Sequence, residues 1–241
     1  MRSALIALAV SVLAGSLGAW GYFAGVWRFN HPSRAEFPIQ GIDASHHQGE
    51  IDWRAVAKDG QRFAYLKATE GGDFKDPSFP RNWKEAKAAG LAVGAYHFFT
   101  FCKPGRLQAR NFVAAVPADP GALPPVIDFE FVGNCGERPP KEAVLKELSD
   151  FTAVVTAAYG KPPVLYVTRA SYARYLAGRT AGYPLWMRDV FRRPGRGWTF
   201  WQYADNARVS GVAGPVDRNA FHGGEAEFRA LLEARASSTA R

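Results

Sequence analysis

The chain alternates short β-prone runs with helical runs along most of its length, and turn residues separate them. The predicted strands cover residues 40–44, 63–68, 92–98, 126–131, 164–168, 185–188, 199–203 and 216–219. The predicted helices cover residues 53–58, 81–89, 106–116, 142–159, 171–176 and 225–233. Repeated βα units imply parallel strands with right-handed crossovers, and about eight such strands indicate a closed or nearly closed α/β barrel. A doubly wound open sheet is the alternative, although the sequence has no glycine-rich phosphate-binding loop.

Two carboxylates, Asp128 and Glu130, lie two residues apart within an apolar, β-prone run. Residues at this spacing on a strand face the same side, with Cα atoms roughly 6.6 Å apart. Such proximity raises the pKa of one acid, which can then keep its proton near neutral pH. Glycoside hydrolysis uses a pair of this kind, one group to protonate the leaving oxygen and another to stabilise or attack the cationic centre. An isolated pair could equally be two solvent-facing acids on an edge strand.

Polar and aromatic side chains recur at the ends of the predicted strands. They are Asp43, Ser45, Lys67, Glu70, Tyr96, His97, Asp128, Glu130, Tyr166, Trp186, Gln202, Tyr203, Asp217 and Asn219. In a barrel the carboxyl ends of the strands meet at one mouth, where active sites lie. Aromatic faces stack on pyranose rings, and carboxylates and amides bind hydroxyl and acetamido groups, so this mixture indicates a sugar site.

Six ordered motifs resemble those of glycoside hydrolase family 25, the Chalaropsis-type lysozymes, which are N-acetylmuramidases. They are Gly41-Ile42-Asp43-Ala44-Ser45 with Gln48-Gly49, residues 63–71, Gly94-Ala95-Tyr96-His97-Phe98, Asp128-Phe129-Glu130, Trp201-Gln202-Tyr203 and Val216-Asp217-Arg218-Asn219. The resemblance covers residues 37–221. It implies an irregular (β/α) TIM-like barrel, cleavage of the β-1,4 bond between N-acetylmuramic acid and N-acetylglucosamine in peptidoglycan glycan strands, and no metal or organic cofactor.

The resemblance also implies roles for individual residues. Glu130 is expected to be the general acid, Asp128 its partner, and Asp43 and Asp217 the other acids of the groove. The expected saccharide-binding residues are Tyr96, Tyr166, Trp186, Gln202 and Lys67. A retaining route through the substrate acetamido oxygen and an inverting route through activated water both remain open. Arg188 departs from the pattern, because a small residue is expected at its position.

Two other functions stay open at this point. A metal-dependent peptidoglycan amidase or deacetylase could use Asp43, His46 or His47, and His97 as ligands. An inactive wall-binding module would keep the aromatic residues but would need no Glu130. Tandem histidines on an extended chain point in opposite directions, and both acids of the Asp128/Glu130 pair are present, so a carboxylate-based hydrolase is favoured.

The amino terminus predicts export. Residues 4–27 carry no charged side chain and would form a helix of roughly 36 Å, long enough to cross a bilayer. Aromatic residues gather at its far end, as is typical of a membrane interface. We expect residues 1–27 to be a membrane anchor or a cleaved signal, 28–37 a tether, 38–234 the catalytic domain and 235–241 a disordered tail. We therefore expect a membrane-anchored enzyme in the cell envelope, or a secreted or periplasmic enzyme if the segment is cleaved.

Charge and cysteine content fit this placement. The formal net charge is +8, which suggests polyanionic surroundings, and the sequence contains no nucleic-acid-binding motif. The two cysteines, Cys102 and Cys135, follow two predicted strands by similar offsets. In an exported chain such a pair predicts a disulfide bond between neighbouring loops at one end of the sheet.

Overall fold

A computed structural model describes residues 2–178 and 182–234 of the chain, so the predicted tail at 235–241 lies outside the described residues. Eight strands form a closed barrel, because the first strand pairs with both the second and the last. These strands are β1 (Gln40–Ala44), β2 (Phe63–Glu70), β4 (Ala92–Phe98), β5 (Val126–Phe129), β6 (Val164–Thr168), β7 (Leu185–Arg188), β8 (Phe200–Ala207) and β9 (Val216–Phe221). The two-residue strand β3 (Phe74–Lys75) pairs with the end of β2. The TIM-like barrel predicted from the sequence is therefore confirmed.

Helices lie at the predicted places, most of them between consecutive strands. They are α1 (Arg2–Phe23), α2 (Trp53–Lys58), α3 (Phe79–Ala88), α4 (Gly105–Ala115), α5 (Lys141–Tyr159), α6 (Arg169–Ser171, followed by a π-helical turn at Tyr172–Leu176) and α7 (Glu225–Glu233). The Asp52 carboxylate caps α2 by accepting hydrogen bonds from the backbone N–H groups of Arg54 and Ala55. Most boundaries fall within two residues of the prediction, but β5 ends at Phe129 and so leaves Glu130 just beyond the strand.

The prediction of parallel strands is wrong for β9, which runs antiparallel to both of its neighbours. Only residues 208–215 separate it from β8. A parallel return needs a crossover of about a dozen residues or more, whereas a short loop suffices for an antiparallel one. The amino end of β9 consequently lies at the same mouth as the carboxyl ends of the other strands, and Asp217 is the direct cross-strand partner of Asp43.

Aromatic residues fill the interior of the barrel, and aliphatic and aromatic residues pack around its outer face. Phe63, Tyr65, Trp186 and Phe200 are almost fully buried inside it. A Cβ at Gly94 would lie 2.2 Å from the Tyr65 ring, so only glycine leaves room for this tyrosine. The outer faces of β4 and β5 pack against α4 and α5, which accounts for the alternation of pocket-facing and core-facing residues along these strands.

No helix crosses over between β7 and β8, and the amino-terminal segment covers this side of the barrel instead. Phe37 packs on Trp198 and Trp201, and the Asn30 side chain donates to the Val190 carbonyl. The segment 28–37, expected to be a tether, therefore lies along the barrel wall. Helix α1 precedes it, and its stretch Ser3–Phe23 is long and apolar enough to cross a membrane, a property that signal sequences share.

A disulfide bond joins Cys102 and Cys135, whose Cα atoms are 6.3 Å apart. The first cysteine lies in the loop after β4 and the second in the loop after β5, and these strands are parallel neighbours. The bond therefore ties together two loops at the mouth of the barrel, beside the Asp128/Glu130 pair.

Candidate active site

A pocket opens at the mouth of the barrel and gathers side chains from seven strands and from the residue just after β5. Its lining residues are Asp43, Tyr96, Val126, Asp128, Glu130, Tyr166, Trp186, Gln202 and Asp217. The four predicted acids thus lie together in one pocket, with four of the five predicted saccharide-binding residues. Strand alternation explains the convergence, because each side chain lies on the inward face of its strand.

The first carboxyl pair comes from the end of β5. Val126, Asp128 and Glu130 alternate into the pocket, while Ile127 and Phe129 are fully buried in the outer core. Burial raises the pKa of Asp128 well above its usual value, and the charges of Glu130 and Asp43 raise it further. Burial also raises the pKa of Glu130 to about 7, which leaves this carboxyl partly protonated at neutral pH. Asp128 Oδ1 is buried and has no hydrogen-bond partner among the described residues.

The second carboxyl pair, Asp43 and Asp217, comes from the antiparallel strands β1 and β9. Asp43 Oδ2 accepts hydrogen bonds from Gln202 Nε2 at 3.0 Å and Asn219 Nδ2 at 2.8 Å. Burial raises the pKa of Asp43, and these two donors oppose the rise because they stabilise its ionised form. Burial and the charge of Asp43 raise the pKa of Asp217 well above its usual value. Asp43 therefore ionises first. Asp217 keeps its proton and donates a hydrogen bond to the Asp43 carboxylate.

Three of the expected saccharide-binding residues form the floor of the pocket. Trp186 is only 1% exposed, packs on Tyr65 and Tyr166, and donates its indole N–H to Asn219 Oδ1 at 2.9 Å. The Tyr166 hydroxyl donates to Gln202 Oε1 at 3.0 Å, so Gln202 is held between Tyr166 and Asp43. These hydrogen bonds fix the amide orientation and hold the Asp43 carboxylate in place.

Lys67 is the one expected saccharide-binding residue that does not line the pocket. Its ammonium group lies 2.7 Å from Glu70 Oε2, and the rings of Phe74 and Phe98 flank it. Lys67 is also close enough to lower the pKa of both Asp128 and Glu130. Lys67 therefore acts electrostatically on the carboxyl pair, although it does not line the pocket.

The histidines do not converge on Asp43. His97 faces the outer core, stacked on Phe151, and its ring nitrogens contact Thr69 Oγ1 at 2.7 Å and Gln108 Oε1 at 3.2 Å. Burial lowers the pKa of His97 to about 3, so its imidazole is neutral. His46 pairs with the buried Asp76 at 2.8 Å. Within residues 2–178 and 182–234, no group of three or more His, Cys, Asp and Glu side chains is arranged to hold a metal ion.

From the sequence, Asn219 is one of the strand-end residues of the expected sugar site but has no individual role, and Asp205 and Val126 are not singled out. Asn219 follows Asp217 by two residues on the same face of β9, a spacing that could have revealed its contact with Asp43. Asp205 was missed because β8 was predicted to end at residue 203, whereas it continues to Ala207.

A barrel whose mouth holds four carboxyl groups beside aromatic and amide side chains defines a glycoside-cleaving hydrolase of the acid and carboxylate type. The family model described as Glycosyl hydrolases family 25 matches residues 42–212. The chain therefore belongs to glycosyl hydrolase family 25.

Relatives and solved structures agree with this assignment. The chain is similar to a family 25 glycosyl hydrolase structure from Bacillus anthracis, with a TM-score of 0.78, 41% identity and coverage of 84% of this chain and 96% of that one. It is 38% identical over 208 residues to the uncharacterized protein YegX of Escherichia coli strain K12, covering 83% of this chain and 75% of the relative. It is 36% identical over 215 residues to Lysozyme M1 of Streptomyces globisporus, covering 80% and 71%.

Proposed function

We propose that the chain is a lysozyme that hydrolyses the β-1,4 bond between N-acetylmuramic acid and N-acetylglucosamine in peptidoglycan. The observation that carries this proposal is the convergence of four carboxyl groups in one pocket, with the pKa of Glu130 raised to about 7. An acid with a pKa near the working pH can both hold and release its proton, as glycoside cleavage requires. The similarity to a protein named a lysozyme supports the same substrate.

Glu130 is the general acid in this proposal. Its protonated carboxyl donates a proton to the glycosidic oxygen as the bond to the anomeric carbon breaks, so the leaving sugar departs as an alcohol. Burial favours the protonated form of Glu130, because the ionised form is poorly solvated there. The Asp43 carboxylate, held by Gln202 and Asn219, offers negative charge to the cation-like transition state.

Asp128 orients the substrate. Its Oδ1 atom is buried in the pocket wall and unpaired among the described residues, so a substrate N–H would complete its hydrogen bonding. Both sugars of the glycan carry an acetamido N–H at C2. An acetamido group held by Asp128 lies beside the anomeric carbon, where it contributes to stabilising the developing charge.

Mass spectrometry of fragments released from purified peptidoglycan tests the activity. We expect fragments that carry N-acetylmuramic acid at the reducing end, because the bond cut is the one that follows this sugar. Glu130→Gln should abolish release, and Glu85→Gln, an exposed residue on α3, is a matched control that should leave release unchanged. Fragments with N-acetylglucosamine at the reducing end, or released free peptides, would refute the proposed bond specificity.

The enzyme acts in the cell envelope, and we propose that Ser3–Phe23 remains attached as a single-pass anchor. The apolar character of the chain continues to Trp27, well beyond small residues suited to cleavage. Fractionation of cells that express the full chain tests the anchor. We expect the protein in the membrane fraction with its amino terminus intact. A soluble protein that begins after Ser16 or Gly18 would establish a cleaved signal instead.

A further inference from the structure

Arg188 places a cation at the rim of the carboxyl pocket. It follows Trp186 by two residues on β7, so both side chains lie on the inward face of the strand. Its cross-strand partner on β8 is Gln202, which also lines the pocket. The Arg188 side chain is 33% exposed, so part of it is accessible to solvent.

A chain of hydrogen bonds through Asp205 to Tyr22 holds the Arg188 guanidinium. One of its terminal nitrogens donates to Asp205 Oδ2 at 2.8 Å. The other oxygen of Asp205 accepts a hydrogen bond from the Tyr22 hydroxyl, also at 2.8 Å. A guanidinium has five N–H donors in a rigid planar fork, so one bond to Asp205 fixes its orientation and leaves further donors for a ligand.

The surroundings of Arg188 are otherwise acidic. Its charge lowers the pKa of Glu130, Asp43 and Asp217, which shows that it is electrostatically close to three of the pocket carboxyls. An anionic substrate entering this pocket would be repelled by ionised carboxylates. A fixed cation at the rim provides a favourable contact for a negative group, which the pocket acids cannot provide.

We propose that Arg188 is a specificity-determining residue that binds a carboxylate of the muramoyl substituent of the substrate. This inference rests on the proposed function, since N-acetylmuramic acid carries a lactyl ether at C3. In glycan strands without peptides the lactyl group is itself a carboxylate. In peptide-bearing strands it is an amide, and the carboxylates lie on the attached peptide. The planar fork of arginine suits either carboxylate, because it can form two parallel hydrogen bonds.

Steady-state kinetics of the full chain on four substrates tests the proposal. They are peptide-free glycan strands, peptide-bearing strands, and each of the two after conversion of its carboxylates to methylamides. Measurements at about pH 5 keep Glu130 protonated, so that its altered pKa does not disturb the comparison. The variants are Arg188→Gln, which removes the charge, and Arg188→Lys, which keeps the charge but loses the fork. Arg192→Gln, on the exposed loop after β7, is the control for net charge.

We expect Arg188→Gln to raise KM at least about tenfold on a carboxylate-bearing substrate and to leave KM within about twofold on its methylamide. Arg188→Lys should lie between the two proteins, and Arg192→Gln should match the wild type. An effect on peptide-free strands identifies the lactyl carboxylate, and an effect confined to peptide-bearing strands identifies the peptide carboxylate.

Equal losses on charged and methylamide substrates would overturn the proposal, because Arg188 would then act only on the pocket acids. A fall in kcat without a change in KM would overturn it in the same way. If the wild type cleaves none of the four substrates, it is the proposed function that fails, so the two failures are distinguishable.

Discussion

Replacing Glu130 with glutamine should remove activity and stabilise the fold at the same time. Glutamine has nearly the same shape but no acidic proton, so the leaving oxygen must depart unprotonated. We expect kcat on peptidoglycan to fall at least about a thousandfold, equivalent to about 4 kcal/mol of transition-state stabilisation.

The gain in stability follows from the raised pKa. The pKa of Glu130 rises from 4.5 to about 7 on folding, mainly through burial. A carboxyl whose pKa is higher in the folded state costs no stability below its unfolded pKa, because it is protonated in both states. The cost grows as the pH rises from the unfolded pKa to the folded pKa and is constant above it. The neutral amide has no such cost. Glu130→Gln should therefore match the wild type below about pH 4.5, gain stability between about pH 4.5 and 7, and remain more stable above.

The size of this gain has an upper limit of about 3.5 kcal/mol, because the pKa of Glu130 is displaced from 4.5 to about 7 and each pKa unit corresponds to about 1.4 kcal/mol. Thermal unfolding at about pH 5 and pH 8 measures it, and for a chain of this size we expect Tm to rise by several degrees at the higher pH. Glu85→Gln is the matched control and should change neither quantity. A variant that keeps a tenth of wild-type turnover, or one that is less stable than wild type at pH 8, would refute the reasoning.

Three further outcomes are expected. The wild-type kcat/KM should decline above about pH 7 as Glu130 loses its proton, and a plateau extending beyond about pH 9 would contradict its role as the acid. Asp43→Asn should lower kcat at least about a hundredfold and move this decline to lower pH, because the charge of Asp43 raises the pKa of Glu130. A pH–rate profile measures the shift, and a decline at the wild-type pH would contradict it. Replacing Cys102 and Cys135 together with serine should lower the free energy of unfolding by about 3 kcal/mol in denaturant titrations, because the bond closes a loop of 33 residues, and an unchanged midpoint would count against it.

The fold was largely predictable because local signals and tertiary structure agree along most of the barrel. The strand at residues 92–98 and the helix at 53–58 have the predicted limits, since turn residues or an aspartate cap mark their ends. The direction of β9 was not predictable from periodicity, because a strand presents the same alternation in either orientation. Its direction depends on the length of the loop from β8, whose end the sequence does not mark.

The acids of the site were predictable from their positions at strand ends, whereas their partners were not. Gln202 was expected to touch substrate, and the structure places it between Tyr166 and Asp43. Such contacts depend on the tilt and register of strands far apart in sequence, which residue spacing within one strand cannot reveal. The contact of Tyr22 with Asp205 is of the same kind, because it joins residues 183 positions apart.

The arrangement of partners decides which carboxyl of the pocket can be the acid. Two amide donors favour the ionised form of Asp43, so its charge keeps the proton on Asp217. Burial and the charges of Glu130, Asp43 and Glu70 raise the pKa of Asp128 well above its usual value, so Asp128 favours its protonated form at neutral pH. Glu130 lies one residue beyond its strand, within reach of the opposing charges of Arg188 and Lys67, which limit the rise of its pKa to about 7. It is therefore the pocket acid best able to give up a proton and regain it at neutral pH.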